Sequence, residues 1–299
     1  MPSALSEEAR KAYNAKMLGV LKYFIAFCQE KNLIYWASYG TAIGAVRHHS
    51  IIPWDDDIDI LMPRESYNKL LDFSRDFDNG QFEILHVKLR PESTCRAIHI
   101  CDNKTTVITR MNMPIVNGVH IGVSPIDFSD ESEESITKTA LETHRAFKNY
   151  FNCLRHYSMS DILRNIVHPR SLLWIMKSIY YGNHSKDSFR KEALALENTY
   201  TGKNGCKAFN IHELLFSKRM HFFKSEWFSD SIMMPFEDIT ISLPVGYHEY
   251  LSMQYGDYMT PPPPSQQKPH HDIDYFNLKE RLSLSDAIER YKKGLHYEF

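Results

Sequence analysis

Four carboxylates fall within the five residues Asp55-Asp56-Asp57-Ile58-Asp59, and this acidic stretch runs directly into the apolar segment Ile58 to Met62. A short apolar run of this kind, stopped by Pro63, reads as a buried strand, so the acids stand at its mouth and not on an open loop. Crowded like charges repel unless a cation joins them. With Asp57 to Ile60 extended, Asp57 and Asp59 point to one face, their Cα atoms roughly 6.5 Å apart. That spacing suits one divalent ion or an adjacent pair. Oxygen donors with no cysteine nearby select a hard cation, Mg²⁺ or Mn²⁺, whose open positions would accept phosphate oxygens. The competing reading, a solvated acidic turn, conflicts with Ile58 and Ile60 leading into a buried strand.

Just upstream, Leu33 to Ala37 reads as a short strand and Thr41 to His48 as a helix. The turn between them, Ser38-Tyr39-Gly40-Thr41, would present free backbone N–H groups and the positive end of a helix, a ready anion site. Gly40 allows close approach of a phosphate, and Arg47, two turns on, offers a planar fork to its oxygens. Trp54 is open to two readings, a ring that stacks on a base or a packing residue beside Pro53.

Elsewhere the periods alternate between helix and strand, which sets the class as α+β, a mixed sheet flanked by helices. A first helix over about Ser6 to Lys31 carries Met17, Leu21, Phe24 and Cys28 on one face. Strands are expected at Phe82 to Val87, Arg96 to Cys101, Thr105 to Thr109, Val119 to Val123, Met233 to Phe236 and Ile239 to Leu243. Helices are expected at Arg64 to Phe73, Tyr247 to Tyr255 and Ser283 to Lys293. Between Glu131 and Tyr200 the pattern is helical, through Leu154, Ile162, Ile166, Leu172, Ile175 and Ile179, with a break at Pro169. The run Leu172-Leu173-Trp174-Ile175-Met176 reads as a core helix, with peripheral membrane contact as the alternative. The chain thus divides into a catalytic core over 1–130, a helical insertion over 131–205 and a C-terminal segment over 206–299 that completes the domain.

Composition narrows the function. Lys plus Arg number 35 against 37 Asp plus Glu, a net charge of −2, so no basic excess exists for nucleic acid. The N-terminus lacks an apolar signal core, and Leu172 to Met176 is far shorter than the ~20 residues of a membrane span, so the expected location is the cytosol. Five scattered cysteines without a C-x-x-C pair signal neither a disulfide framework nor a zinc site.

The stretch Tyr35 to His48, followed by Ile52-Pro53-Trp54-Asp55-Asp56-Asp57-Ile58-Asp59-Ile60, closely resembles the LicD family, whose nucleotidyltransferase-like core is shared by fukutin and the fukutin-related protein. The resemblance continues at Asp102-Asn103-Lys104-Thr105, Pro125-Ile126-Asp127, Pro235-Phe236-Glu237-Asp238, Tyr250-Leu251 and Tyr255 to Met259, before the prolines and His270-His271. It implies transfer of a phosphorylated small alcohol, phosphocholine first among them, from a CDP-activated donor such as CDP-choline to a hydroxyl of a glycan or glycolipid acceptor. CMP would leave, and lipopolysaccharide decoration is the implied setting. In that reading Asp57 and Asp59 hold the metal, and Gly40, Thr41 and Arg47 hold donor phosphates. His48, Trp54, Asp55, His270 and His271 join the substrate contacts.

One departure stands out. Relatives carry an Asp in an I-D-I-F-P-L-D stretch, and here Gly122 occupies that place. His120, two residues away on the same strand face, and Asp127, beyond Pro125, are the candidates to supply the missing acid–base group. Two other functions stay open: nucleotide transfer from an NTP, and a non-catalytic nucleotide- or glycan-binding role.

Overall fold

The computed structural model describes residues 6–109, 116–154, 169–215, 217, 219–269 and 273–299. Ser6 caps helix α1 (Glu7–Lys31), its hydroxyl accepting the Ala9 N–H at 3.1 Å, and Glu7 and Glu8 occupy the positive end. Asn32 ends the helix in the left-handed region, φ 53°. Met17, Leu21, Phe24 and Cys28 are all buried, as their spacing predicts. They pack toward a sheet that includes β4 (Ile98–Asp102) and β6 (His120–Ser129).

That sheet runs in the order β1 (Trp36–Ala37), β2 (Asp59–Pro63), β6, β4, β3 (Phe82–Leu85). The β2–β6 pair is parallel and the other pairs along this path are antiparallel. Strand alternation sorts the side chains. Ile60, Ile98, Ile100, Ile121 and Val123 enter the core, while Asp59, His99, His120 and Gly122 turn to the opposite, half-buried face.

Two short strands from the C-terminal segment attach to the core. Lys207–Phe209 pairs antiparallel with the far end of β6, Asp127 opposite Phe209, and Tyr275–Asn277 pairs antiparallel with Thr106–Ile108. Three residues are too few to show a period, so neither strand is legible in the sequence. The hairpin Ser231–Phe236/Ile239–Pro244 and the helix Tyr247–Tyr255 match expectation.

In the helical segment, α5 (Glu133–Leu154) and the helix Lys186–Glu197 share a small core of Ala146, Phe147, Tyr150, Leu154 and Ala193. Pro169 begins a helix, Pro169–Gly182, as its fixed φ and missing N–H suit a first turn. Ile162 and Ile166 lie outside the described residues. The core-helix reading of Leu172 to Met176 does not hold at Leu173 and Met176, which are 55% and 67% exposed. A helical period shows that one face is apolar, not that a partner covers it.

A buried charge cluster ties these parts together. Arg64, directly after β2, donates from Nε and a terminal nitrogen to the two oxygens of Asp127 at 2.8 and 2.7 Å, and its other nitrogen lies 3.5 Å from Glu197. All three residues are at most 5% exposed. His212 Nε2 stands 3.3 Å from the same Glu197 oxygen. Nearby His86 is buried as the neutral ring: Nδ1 accepts from the Lys88 N–H at 3.1 Å, so Nε2–H donates to the Arg96 carbonyl at 2.7 Å.

Two outcomes follow. Replacing Arg64 by Met strands two buried carboxylates and is expected to destabilise the fold by about 3–5 kcal/mol, read by denaturant unfolding. Burial, chiefly, lowers the His86 pKa from 6.5 to about 4. The unfolded chain therefore takes up a proton that the folded chain refuses, and stability falls as pH drops from 6.5 toward 4. His86→Gln is expected to flatten the pH dependence of Tm between those values.

Candidate active site

Strand β2 begins at Asp59, so Asp55 to Ile58 form an irregular lead-in and do not share the strand's two-residue alternation. Asp55, Asp56 and Asp57 each bring a carboxylate oxygen within 4.8 Å of the others. Asp55 is packed where Gly40 leaves room: a Cβ at residue 40 would lie 2.3 Å from Asp55 Oδ2. Gly40 is therefore needed for the approach of a protein carboxylate. Tyr39 beside it takes a left-handed φ of 48°, which turns the chain into the helix Tyr39–Ile43 and the π-turn Gly44–His48.

Asp59 is held through its backbone. Its N–H donates to the Thr41 hydroxyl at 2.9 Å and its carbonyl accepts from the Ser38 N–H at 3.0 Å. Thr41 thus spends its hydroxyl on positioning Asp59. Across the sheet, Asp59 faces Gly122, and a Cβ there would sit 3.2 Å from Asp59 Oδ1. The carboxylate leans over the glycine. The phenol of Tyr255 is held well above its ordinary pKa by burial and then by Asp59, Asp55 and Asp57. One hydroxyl therefore feels these three acids together, whereas Tyr13 of α1 is raised by burial and then by Asp56.

On the other side of Gly122 stands its partner on β4, His99. The His99 and His120 rings stack at 4.3 Å and 9°. His120 Nδ1 lies 3.0 Å from the Gly118 carbonyl, so it carries the hydrogen, and in the neutral ring Nε2 is the basic nitrogen. His99 Nδ1 is 3.4 Å from the thiol of Cys95, whose pKa burial pushes up to about 11. Asp59, Gly122 and His99 thus form one row across three strands, with the Asp59 carboxylate over the glycine and the His99 imidazole on its far side.

The basic side of the site is Arg47. One of its terminal nitrogens donates to the Tyr258 carbonyl at 2.6 Å, and its Nε donates to His48 Nδ1 at 3.3 Å. Its guanidinium carbon lies 5.9 Å from the centre of the Trp54 ring, and His48 meets that ring edge-on at 5.9 Å. Burial lowers the pKa of His48, with Arg47 the second cause. Trp54 therefore packs against Arg47 and His48. A rear wall comes from a segment that carries no motif: Asn210 donates to the Tyr39 hydroxyl at 3.0 Å, and buried Glu213 adds to the field on Tyr39, Tyr250 and Tyr255.

Asp127 sits elsewhere. By alternation it faces away from His120, and both its oxygens are taken by Arg64, so its geometry is that of an anchor and not of an open base. His270 and His271 lie outside the described residues. His99, Asn210 and Glu213 join the site with no local signal, because strand pairing and chain return bring them there, while Tyr255 comes from the stretch Tyr255 to Met259 that carries the resemblance.

Residues 32–152 match the family model described as LicD/FKTN/FKRP, nucleotidyltransferase domain. This segment is a LicD-family domain. The chain is also 27% identical over 266 residues to the lipopolysaccharide cholinephosphotransferase LicD of Haemophilus influenzae, covering 85% of this chain and 92% of that protein. An uncharacterised protein of Rickettsia typhi is 38% identical over 60 residues, 20% of this chain and 19% of its own. One of Rickettsia prowazekii is 58% identical over 31 residues, 10% and 12% respectively. The LicD segment holds the acids, Arg47, His99 and His120, while Asn210, Glu213 and Tyr255 are added from beyond it.

The acids fit a hard divalent cation: the donors are oxygens only, three of them within 4.8 Å, at the mouth of a buried strand. Gly40→Ala forces the Asp55 carboxylate aside. We expect it to weaken Mn²⁺ binding by about tenfold or more, read by calorimetry, with the circular dichroism spectrum unchanged.

Proposed function

We propose that this LicD domain transfers phosphocholine from CDP-choline to a hydroxyl of a glycan or glycolipid, with release of CMP and with Mg²⁺ or Mn²⁺ held by Asp57 and Asp59, next to Asp55. The observation that carries this reading is the juxtaposition of the carboxylate cluster with the Asp59–Gly122–His99 row, in a chain similar over most of its length to a lipopolysaccharide cholinephosphotransferase. A bound divalent ion would neutralise pyrophosphate oxygens and polarise the phosphorus under attack.

The rest is the work of this chain's residues. Asp57 and Asp59 set where the donor's pyrophosphate lies, and the backbone bonds from Thr41 and Ser38 fix Asp59 against drift. Arg47, already tethered to Tyr258 and stacked near Trp54, offers its remaining guanidinium edge to phosphate. The acceptor hydroxyl enters beside the Asp59 carboxylate, on the face that Asp59 shares with His99 and His120. His120 accepts the hydroxyl proton at Nε2, with its Nδ1–H bond to Gly118 holding the tautomer. Reaction at the cytoplasmic face, where CDP-alcohols are made available, follows from the same reading.

The test is nuclear magnetic resonance detection of CMP from CDP-choline with a glycolipid acceptor, beside CDP-ethanolamine, CDP-glycerol, CDP-ribitol and NTPs. CMP release from CDP-choline alone, dependent on added Mg²⁺ or Mn²⁺ and lost in Asp59→Asn, supports the reading. Pyrophosphate release from an NTP, or unchanged turnover in Asp59→Asn, would overturn it. His120→Gln is expected to lower kcat by about 10²-fold or more and to remove the acid limb of its pH profile, with little change in KM.

A further inference from the structure

The helix Pro169–Gly182 carries an apolar stripe that nothing among the described residues covers. Leu173, Met176, Ile179 and Tyr180 are 55%, 67%, 62% and 56% exposed, and their spacing puts them along one side of the helix. The helix is anchored by its last turn: the Tyr181 hydroxyl donates to Asn149 of α5 at 2.9 Å, and the Tyr181 ring meets Phe189 at 6.0 Å. Large apolar side chains exposed together, and not singly, mark a contact surface.

Charge indicates what that surface meets. From Arg145 to Lys191 the sequence holds nine Lys and Arg but only Asp161 and Asp187, a net of +7 in a chain whose total is −2. Arg170 and Lys177 are the only charged residues in the helix, and Lys177 is exposed beside the stripe. Fourteen residues extend only about 21 Å along the axis, too short to cross a bilayer, and no described helix is long and apolar enough to do so. An apolar stripe with basic flanks on a short helix is the composition that lies flat in the boundary between headgroups and acyl chains. A second copy of this chain is the less fitting occupant, because two surfaces from this basic stretch of the sequence would have to meet.

We propose that this face docks on an anionic lipid bilayer, with Leu173, Met176, Ile179 and Tyr180 entering the acyl boundary and the surrounding Lys and Arg meeting the headgroups. The inference does not rest on the proposed reaction, since it needs only lipid. It would, however, bring the enzyme to a glycolipid acceptor.

The test uses the full chain without donor or acceptor. It is sedimented with vesicles of phosphatidylcholine mixed with phosphatidylglycerol, with vesicles of phosphatidylcholine alone, and at low and high salt. Binding to the anionic vesicles that weakens severalfold with salt, and falls about tenfold or more in the double variant Met176→Glu/Ile179→Glu, supports the proposal. Both positions are exposed, so the variant is expected to keep its Tm, and Lys177→Glu gives a second variant that should weaken binding without touching the stripe. Absence of binding to anionic vesicles overturns the proposal, as does equal binding of the wild type and the double variant. A dimer in light scattering that the double variant dissolves, in a protein that ignores vesicles, overturns it in favour of a second copy.

Discussion

The bidentate grip of Arg64 on Asp127 sets the register on which the site depends. In the parallel β2–β6 pair Asp59 stands opposite Gly122 and Pro63 opposite Ile126, so Arg64 and Asp127 meet one step beyond the last paired rung. A slip of one residue would separate two buried charges and would turn Asp59 from the half-buried face into the core. The ion pair thereby makes a wrong register costly at the end of the strand, four residues from the carboxylate that matters. Glu197 joins the same arginine, so the helical segment is bound to the core sheet by charge as well as by packing.

Within that frame the site is built from absences. Gly40 has no Cβ, and Asp55 fills the space; Gly122 has none, and the Asp59 carboxylate leans over it. Gly40 is thus required by the neighbouring acid and not by an unusual backbone angle, whereas at Gly122 a Cβ would only press on the Asp59 carboxylate. From the chain's C-terminal half, the Tyr255 phenol comes within the field of Asp59, Asp55 and Asp57, and Asn210 holds the Tyr39 hydroxyl beside Gly40. Burial of Asp55 and Asp56 raises the cost of leaving these carboxylates without a cation.

Much of the architecture was legible. The Ser6 cap, the buried face of α1, the strand after the acidic run, the Met233–Leu243 hairpin and the helix ending at Gly256 each carry a period or a stop signal of adequate length. The strands Lys207–Phe209 and Tyr275–Asn277 carry none, since three residues cannot show a period and their partners are far away in sequence. The expectation that Asp57 and Asp59 share a strand face assumed a strand that starts two residues earlier than it does; the lead-in instead gathers Asp57 with Asp55 and Asp56. Leu173 and Met176 have a core-like spacing and an exposed position, because amphipathic pattern specifies a face and leaves its partner open.

The acidic run at a strand mouth, the glycine turn with Arg47 behind it and the mixed α+β class are all readable from the chain alone. These features are local, since they depend on side-chain type, period and stop residues within a few positions. Packing and register, by contrast, put the Thr41 hydroxyl under Asp59, bind Asp127 to Arg64 and turn it away, and set His99 beside Gly122. Those outcomes rest on register between strands and on buried charges finding partners, and such pairings link residues that no local pattern connects.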